Sequence, residues 1–355
     1  MKNKNTFNIK GLIINTVLGF GISGAVIFGA TMFVSGEEGT NNTKVAQEAE
    51  FGFEEESYEL SEAQPVFTGV LTKEELENPP ETNGEENNSK QIHISEEELN
   101  NLNDFSFIRQ NYYIIDSRTD LVESDVNPKE FLERDFSIDE STDGPKVLIF
   151  HTHSSEMFAD SDPAKGISEG IWGAGERLKE ILEEEYGIEV LHDTGRYDVV
   201  DGKTKITGAY ERMEPAIRDI LAKNPSIEVV IDMHRDGVNE DVHLVTEQNG
   251  KQCAKIMFFN GLCRLNNNGV LESISYLPNP YLNDNLAFSF QMQHTANELY
   301  PDFTRKIYVN AYRYSLHMMP KSLLIEVGAQ TNTKEEVYNS MEILGKILAE
   351  VIKGE

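Results

Sequence analysis

Three short apolar runs of this chain lead directly into residues that can bind a metal or move a proton. The runs cover residues 146–150, 228–233 and 322–325. Strands that are apolar on both faces are typical of an open, mainly parallel sheet, and functional groups collect at the carboxyl edge of such strands. The sequence therefore predicts an α/β fold with a mixed, mainly parallel sheet and helices on both faces.

The residues that follow these runs have the chemistry of a catalytic zinc site. His153 and Glu156 follow the first run, His234 follows the second and Glu326 follows the third. Such a site needs three protein ligands, an open position for water and a carboxylate base. We therefore predict Zn²⁺ as the cofactor, with His153, Glu156 and His234 as its ligands. Together with Glu326 as the catalytic residue, this pattern predicts a zinc hydrolase.

Other residues compete for some of these roles. His151 could replace His153 as a ligand, but its position nearer the strand favours a role in orienting a ligand. Glu169, near the start of a predicted helix, competes with Glu156 for the second ligand position. Arg235 is expected to steer a substrate carboxylate or to pair with an acid.

Glu326 interrupts an apolar strand, where an unpaired carboxylate is costly. Beside a zinc-activated water, a desolvated carboxylate with a raised pKa can take a proton and pass it to a leaving amine. The alternative is a structural role, with Glu326 paired to a buried arginine such as Arg235 or Arg313.

A long uncharged segment near the beginning of the sequence predicts a membrane anchor. Residues 11–34 contain no charged side chain. As a helix they would extend about 36 Å, enough to cross a hydrocarbon core of roughly 30 Å. Lys2, Lys4 and Lys10 precede the segment, so residues 1–10 are expected to be a cytoplasmic tail. This predicts a single-pass protein of the cell membrane with its folded domain outside; a cleaved signal peptide is the alternative.

Residues 35–104 are predicted to form an acidic, flexible linker. Residues 35–100 hold eighteen acidic residues and three lysines, a composition too polar to offset the entropy lost on ordering. The formal charge of the whole chain is −30 at pH 7, which argues against a nucleic-acid partner. The folded, extracytoplasmic hydrolase domain is then expected to cover residues 105–355.

Strand-like and helical patterns alternate through this domain. Further strands are predicted at 188–191, 253–260 and 306–310, with a helix at about 285–300 between the last two. A capping box at Thr333 to Glu336 predicts the start of a final helix. The two cysteines, Cys253 and Cys263, could form a disulfide outside the membrane, and the sequence leaves their pairing open.

Several sequence blocks identify a known family when they are taken together. The chain carries His-Thr-His-Ser-Ser-Glu at 151–156, Ile-Asp-Met-His-Arg-Asp at 231–236 and Leu-Leu-Ile-Glu-Val-Gly-Ala-Gln-Thr-Asn-Thr at 323–333. Gly208-Ala-Tyr210 and Ala311-Tyr-Arg-Tyr314 lie between these blocks. Over about residues 140–350 the chain resembles the stage II sporulation protein P family, membrane-anchored cell-wall hydrolases of endospore-forming bacteria.

The resemblance implies a zinc amidase-like fold and N-acetylmuramoyl-L-alanine amidase activity on peptidoglycan during engulfment, with an additional endopeptidase activity. It places His153, Glu156 and His234 at the ligand positions and Glu326 at the catalytic position. It also implies the stage II sporulation proteins D and M as partners. Two other classes remain open: a zinc carboxypeptidase, which uses a similar ligand set, and a wall-binding module without activity.

Overall fold

The structure is a computed structural model that describes residues 100–354. The predicted cytoplasmic tail, the predicted anchor at 11–34 and the predicted linker up to residue 99 lie outside the described residues. Within 100–354, no helix combines the length and the apolar character needed to span a membrane. Leu102 is buried and the Asp104 side chain caps the helix that follows, so packing already involves the last residues of the predicted linker.

Helices and strands alternate along the described residues. The α-helices, in chain order, are α1 (Phe105–Tyr112), α2 (Pro128–Glu133), α3 (Ile171–Tyr186), α4 (Ala209–Lys223), α5 (Leu282–Leu299) and α6 (Lys334–Lys353). The strands are β1 (Tyr113–Ile115), β2 (Val147–Phe150), β3 (Val190–His192), β4 (Val199–Val200), β5 (Lys203–Thr204), β6 (Val229–Asp236), β7 (Val245–Gln248), β8 (Lys251–Ala254), β9 (Ile256–Gly261), β10 (Arg264–Asn267), β11 (Val270–Ser273), β12 (Ile307–Asn310) and β13 (Ser322–Ala329). Short 3-10 turns cover Glu123–Asp125, Pro163–Lys165 and Ile167–Glu169.

Seven strands form the central sheet in the order β1-β12-β9-β13-β6-β2-β3. All neighbours in this sheet are parallel except β9 and β13, which are antiparallel. The remaining strands pair as three small hairpins, β4 with β5, β7 with β8 and β10 with β11. The prediction of a mixed, mainly parallel sheet is therefore confirmed.

Helices cover both faces of the sheet. Side chains of successive strand residues point to opposite faces, so an uninterrupted apolar strand needs a packing partner on each face. Val147 and Ile149 of β2 pack in a core with α3, α5 and α6, whereas Leu148 and Phe150 pack with Met213 of α4. Both strand faces are therefore buried, as the uninterrupted apolar runs predicted.

Some element boundaries differ from the prediction. Strand β6 does not end before His234 but continues through it to Asp236, so His234 is held by strand pairing. The run at 253–260 is divided between β8 and β9. The capping box of α6 is present and satisfies main-chain groups at the helix start, a contribution of about 1 kcal/mol. Cys253 and Cys263 are both free thiols.

Candidate metal centre

Three parallel strands bring the candidate residues to one edge of the sheet. On β6 the side chains of Asp232 and His234 lie on the same face, two residues apart. Glu326 of β13 is paired in register with His234. The segment that contains His153 and Glu156 begins where β2 ends. Asp232, His234 and Glu326 are consequently directed to the face of the sheet that α4 covers.

His153, Glu156 and His234, which we call the metal cluster, present one ligand atom each within 4.8 Å of one another. Nδ1 of His153 lies 3.5 Å from Glu156 Oε1, and Nδ1 of His234 lies 3.7 Å from the same oxygen. The two imidazole rings are nearly perpendicular, with centroids 4.9 Å apart. The structure thus brings together the three residues predicted as ligands.

The donor chemistry of the metal cluster fits zinc. Two histidines and one carboxylate form an established catalytic zinc set. In a tetrahedral site with bonds of about 2.1 Å, two ligand atoms are about 3.4 Å apart, close to the two distances to Glu156 Oε1. Nε2 of His153 is buried and has no hydrogen-bond partner within the described residues. These residues can therefore hold a zinc ion after small movements.

The 153–156 loop is held in place by buried hydrogen bonds. The carboxylate of Asp198 accepts from Ser154 Oγ at 2.7 Å and from the Ser155 N–H at 2.9 Å. Glu156 Oε2 accepts from the main-chain N–H of Arg235 at 2.8 Å, which leaves Oε1 directed to the histidines. Burial by itself would raise the pKa of Glu156, but His153 and His234 lower that pKa below its ordinary range.

Asp232 supports His234, a role that the sequence analysis missed. Asp232 Oδ1 lies 2.9 Å from His234 Nε2, although the angle is poor for a hydrogen bond. The carboxylate also accepts from the N–H and the hydroxyl of Thr152, at 2.9 and 2.7 Å. Burial opposes charge on His234, but Asp232 and Glu156 outweigh it and raise the pKa of His234 well above its ordinary value. The spacing of two residues on one strand was the available signal.

Glu326 is buried beside the metal cluster with an unsatisfied oxygen. Glu326 is 5% exposed, and its Oε2 has no hydrogen-bond partner within residues 100–354. Burial raises the pKa of Glu326 well above the ordinary value, and Asp236 raises it further. The expected structural partners are engaged elsewhere: Arg235 donates to the carbonyls of Met157 and Asp236, and Arg313 donates to Glu214.

An ion pair between buried Asp236 and partly buried Arg305, also missed, lies close to Glu326. Arg305 Nη1 is 2.6 Å from Asp236 Oδ2, and the Gly237 N–H donates to Asp236 Oδ1 at 2.7 Å. Arg305 lowers the pKa of Glu326, but less than burial and Asp236 raise it. Asp236 was visible as the last residue of the His-Arg-Asp block, whereas nothing in the sequence linked it to Arg305.

His151 belongs to a separate group, the buried histidine chain, which consists of His151, His192 and Glu176. Burial lowers the pKa of His151 to about 3, so its ring is neutral. Its Nδ1 donates to the carbonyl of Met233 at 2.8 Å, and its Nε2 lies 2.9 Å from His192 Nε2. His192 Nδ1 is 2.7 Å from Glu176 Oε2. His151 therefore orients β6 just before His234 rather than contacting a ligand ring.

The structure places Glu169 and Arg235 outside the metal cluster. Glu169 pairs with Lys334 and accepts from the Asp162 N–H at 3.2 Å, whereas Glu156 is the carboxylate that faces the two histidines. Among residues 100–354 the Arg235 side chain forms no ion pair with an acid, and its Nε donates to the Met157 carbonyl at 2.8 Å. It fixes the segment after Glu156 against β6.

Comparisons with known proteins give one match over most of the chain. A family model described as Stage II sporulation protein P matches residues 32–351. A curated protein with that name from Bacillus subtilis (strain 168) is 20% identical over 218 residues, which are 58% of this chain and 50% of that protein. The chain thus spans about half the length of the curated relative that it matches.

Solved structures give weaker similarities. The N-acetylmuramyl-L-alanine amidase Ami1 from Mycobacterium smegmatis is 11% identical, with a TM-score of 0.33 over 62% of this chain and 100% of that chain. The N-acetylmuramoyl-L-alanine amidase from Clostridium difficile 630 is 17% identical, with a TM-score of 0.32 over 60% and 97% of the two chains. At such TM-scores these similarities carry no argument, and the fold and the site are described from the geometry of this chain alone.

Proposed function

The chain belongs to the stage II sporulation protein P family, and we propose that it is a zinc-dependent amidase of peptidoglycan. The observation that carries this proposal is the meeting of His153, Glu156 and His234 beside Glu326, a buried carboxylate with an unpaired oxygen. Three ligands and a desolvated base at one sheet edge are the elements of a metal-assisted amide hydrolysis.

Each residue has a separate task in this proposal. His153, Glu156 and His234 would hold the zinc ion, and Asp232 orients the His234 ring from behind. Zinc in such a site supplies Lewis acidity to a carbonyl oxygen and lowers the pKa of a water. The 2.8 Å hydrogen bond from the Arg235 N–H keeps Glu156 Oε1 directed to the site.

Glu326 moves the proton. Its carboxylate accepts a proton from the attacking water and delivers it to the nitrogen of the leaving amine, so that the C–N bond breaks as a neutral amine departs. The raised pKa of Glu326, caused by burial and by Asp236, suits a group that must hold this proton between the two steps.

The proposed bond is the amide between the lactyl group of muramic acid and the first alanine of the stem peptide. Membership of the family supports peptidoglycan as the substrate class and sporulation as the setting. A cut in the stem or cross-link would represent the endopeptidase activity. The carboxypeptidase alternative needs an arginine for the free substrate carboxylate, and the position of Arg235 does not support it, because its guanidinium donates to two main-chain carbonyls.

Mass spectrometry of peptidoglycan fragments digested by the zinc-loaded chain tests this function. We expect free stem peptides with alanine at the amino terminus, together with sugars that lack peptide. Fragments that keep the sugar–alanine bond and lose only terminal amino acids would favour the carboxypeptidase. Binding to the wall without any product would favour the inactive wall-binding module.

We also propose the cellular setting that the sequence predicts. The single-pass orientation rests on the three lysines before residues 11–34. Protease added to intact protoplasts should digest the domain at 100–354. Protection of that domain would show that the orientation is the opposite of the one proposed. The stage II sporulation proteins D and M remain proposed partners, and co-purification with each from sporulating cells tests them.

A further inference from the structure

A series of aromatic rings extends from the metal cluster along the face of the sheet that α4 covers. The ring of Tyr210, near the start of α4, lies 5.8 Å from that of His153. Tyr314 lies 5.6 Å from Tyr210, and Phe259 of β9 lies 4.7 Å from Tyr314. We call Tyr210, Tyr314 and Phe259 the aromatic wall. Within this wall Phe259 is buried, whereas the two tyrosines are partly exposed.

The backbone that presents Tyr314 is unusual. Tyr314 has a φ of 52°, a conformation that costs of order 1 kcal/mol or more for a bulky residue. The same segment is pressed against β9 at Gly261, where an added Cβ would lie 1.8 Å from the carbonyl oxygen of Tyr312. Glycine at 261 and a strained backbone at 314 thus hold one tyrosine ring against Tyr210. Strain of this kind concentrates at binding sites.

Two groups of paired charges lie around the aromatic wall. Glu214 of α4 accepts from Arg313 Nη2 at 2.9 Å and lies 3.1 Å from His317 Nε2. Arg118, whose guanidinium lies over the Tyr312 ring at 5.4 Å, pairs with Asp116 at 2.8 Å. These charged side chains next to the aromatic wall are therefore compensated within their own groups.

We propose that the aromatic wall binds the saccharide ring next to the amide that is cleaved. This inference rests on the proposed function and specifies which part of the substrate lies where. The C–H groups on one face of a pyranose carry partial positive charge and pack on the negative face of an aromatic ring, while its hydroxyls can bond to phenol groups. A compensated surface suits this uncharged ring better than a stem peptide with free carboxylates.

Contact between Tyr210 and His153 sets the direction of the substrate. A sugar on Tyr210 and Tyr314 leaves its lactyl carbonyl at the metal cluster and directs the peptide away from the aromatic wall. The rings thus contribute to affinity for the glycan half of the substrate, and they take no part in the proton transfers of Glu326.

Binding of peptide-free glycan strands, made of alternating N-acetylglucosamine and N-acetylmuramic acid, tests this placement. The protein is the full zinc-loaded chain carrying Glu326→Gln. We expect Tyr314→Ala and Tyr210→Ala each to raise the Kd by about tenfold, and Tyr314→Phe to leave it within about twofold, because the ring face is retained. Tyr186→Ala, an aromatic change in α3 on the opposite face of the sheet, is the matched control and should leave the Kd unchanged.

Two arms separate this inference from the proposed function. Circular dichroism and zinc content confirm that each variant is folded and loaded, and the Tyr210 variant serves if Tyr314→Ala does not fold. Unchanged glycan affinity in both tyrosine variants, or an equal loss in Tyr186→Ala, overturns the aromatic wall even if the wild-type chain cleaves peptidoglycan. Loss of glycan binding in the tyrosine variants, with no cleavage by the wild-type chain, overturns the amidase and leaves a saccharide site.

Discussion

Two histidine-containing groups lie near the same edge of the sheet, and they differ in how completely their polar atoms are satisfied. In the buried histidine chain every imidazole nitrogen has a partner within 2.9 Å. In the metal cluster the two Nδ1 atoms are 3.5 and 3.7 Å from Glu156. Among residues 100–354, His153 Nε2 and Oε2 of the adjacent Glu326 have no hydrogen-bond partner. Each ring nitrogen of the first group has a close polar neighbour within the described part of the chain, whereas atoms of the second group lack one.

This difference separates structure from chemistry. A buried polar atom without a partner costs about 1–3 kcal/mol, so a fold keeps several of them together only where something else satisfies them. The buried histidine chain is also tightly packed. A Cβ at Gly175 would lie 2.7 Å from His151 Nε2, so only glycine leaves room for the ring. Residue type alone does not distinguish the two groups; the presence of close polar neighbours within the chain does.

The largest expected effect comes from removing a ligand. His234→Ala should reduce bound zinc from one ion per chain to nearly none and abolish hydrolysis, since two ligand atoms cannot hold the ion tightly. Elemental analysis after gel filtration measures this. His192→Ala is the matched control, because it removes a buried imidazole from the saturated group. Full zinc occupancy in the His234 variant would show that the metal cluster does not differ from the buried histidine chain in binding zinc.

The next effect separates metal binding from proton transfer within the unsatisfied group. Glu326→Gln keeps the volume of the side chain but cannot accept a proton, so zinc should stay bound while turnover falls by about 10²–10⁴-fold. Initial rates on purified peptidoglycan, with zinc content measured on the same sample, provide the test. Near-normal turnover in this variant would make Glu326 a structural residue.

A moderate effect is expected in the saturated group. His192→Ala leaves Nε2 of His151 without its polar neighbour, which should lower the free energy of unfolding by about 1–3 kcal/mol. Zinc content and turnover of the folded fraction should remain close to those of the wild type. Urea unfolding monitored by circular dichroism gives the stability. Loss of zinc in this variant would show that the two groups act as one.

The sequence predicted the metal cluster better than its surroundings, for physical reasons. His153, Glu156 and His234 could be placed together because parallel strands align their carboxyl ends. The role of Asp232 was detectable only from its position two residues before His234, which places both side chains on the same face of the strand. By contrast, the contact of His192 with Glu176 depends on how α3 packs on β3, and the pairing of Arg305 with Asp236 joins distant parts of the chain. Local patterns contain no information about such packing.

The order of strands was also beyond the sequence patterns. Runs of apolar residues predict burial on both faces but not which neighbour is antiparallel, so the reversed pairing of β9 with β13 could not be foreseen. Similarly, the continuation of β6 through His234 was missed because His-Arg-Asp is polar. Pairing with β13 keeps those residues in the strand, since Glu326 and Ala329 lie opposite His234 and Asp236.

The smallest expected effect extends the comparison to a third polar group, in which Glu214 pairs with Arg313, Arg218 and His317. Burial alone would raise the pKa of Glu214, but His317 and the two arginines together lower that pKa to about 2. If saturated groups serve stability, Glu214→Gln should lower the free energy of unfolding at pH 7 by less than about 1 kcal/mol, because the pair is partly exposed to solvent.

The pH dependence of this difference follows from the direction of the pKa shift. The folded chain holds Glu214 ionised at a lower pH than the unfolded chain, so the unfolded state binds more protons between about pH 4.5 and 2. The stabilisation by the carboxylate is therefore fully present above about pH 4.5 and disappears as the pH falls to 2. Urea unfolding of wild type and Glu214→Gln, both metal-free, should show a gap that closes over this window. A gap that is constant from pH 7 to 3 would mean that packing rather than charge stabilises this group.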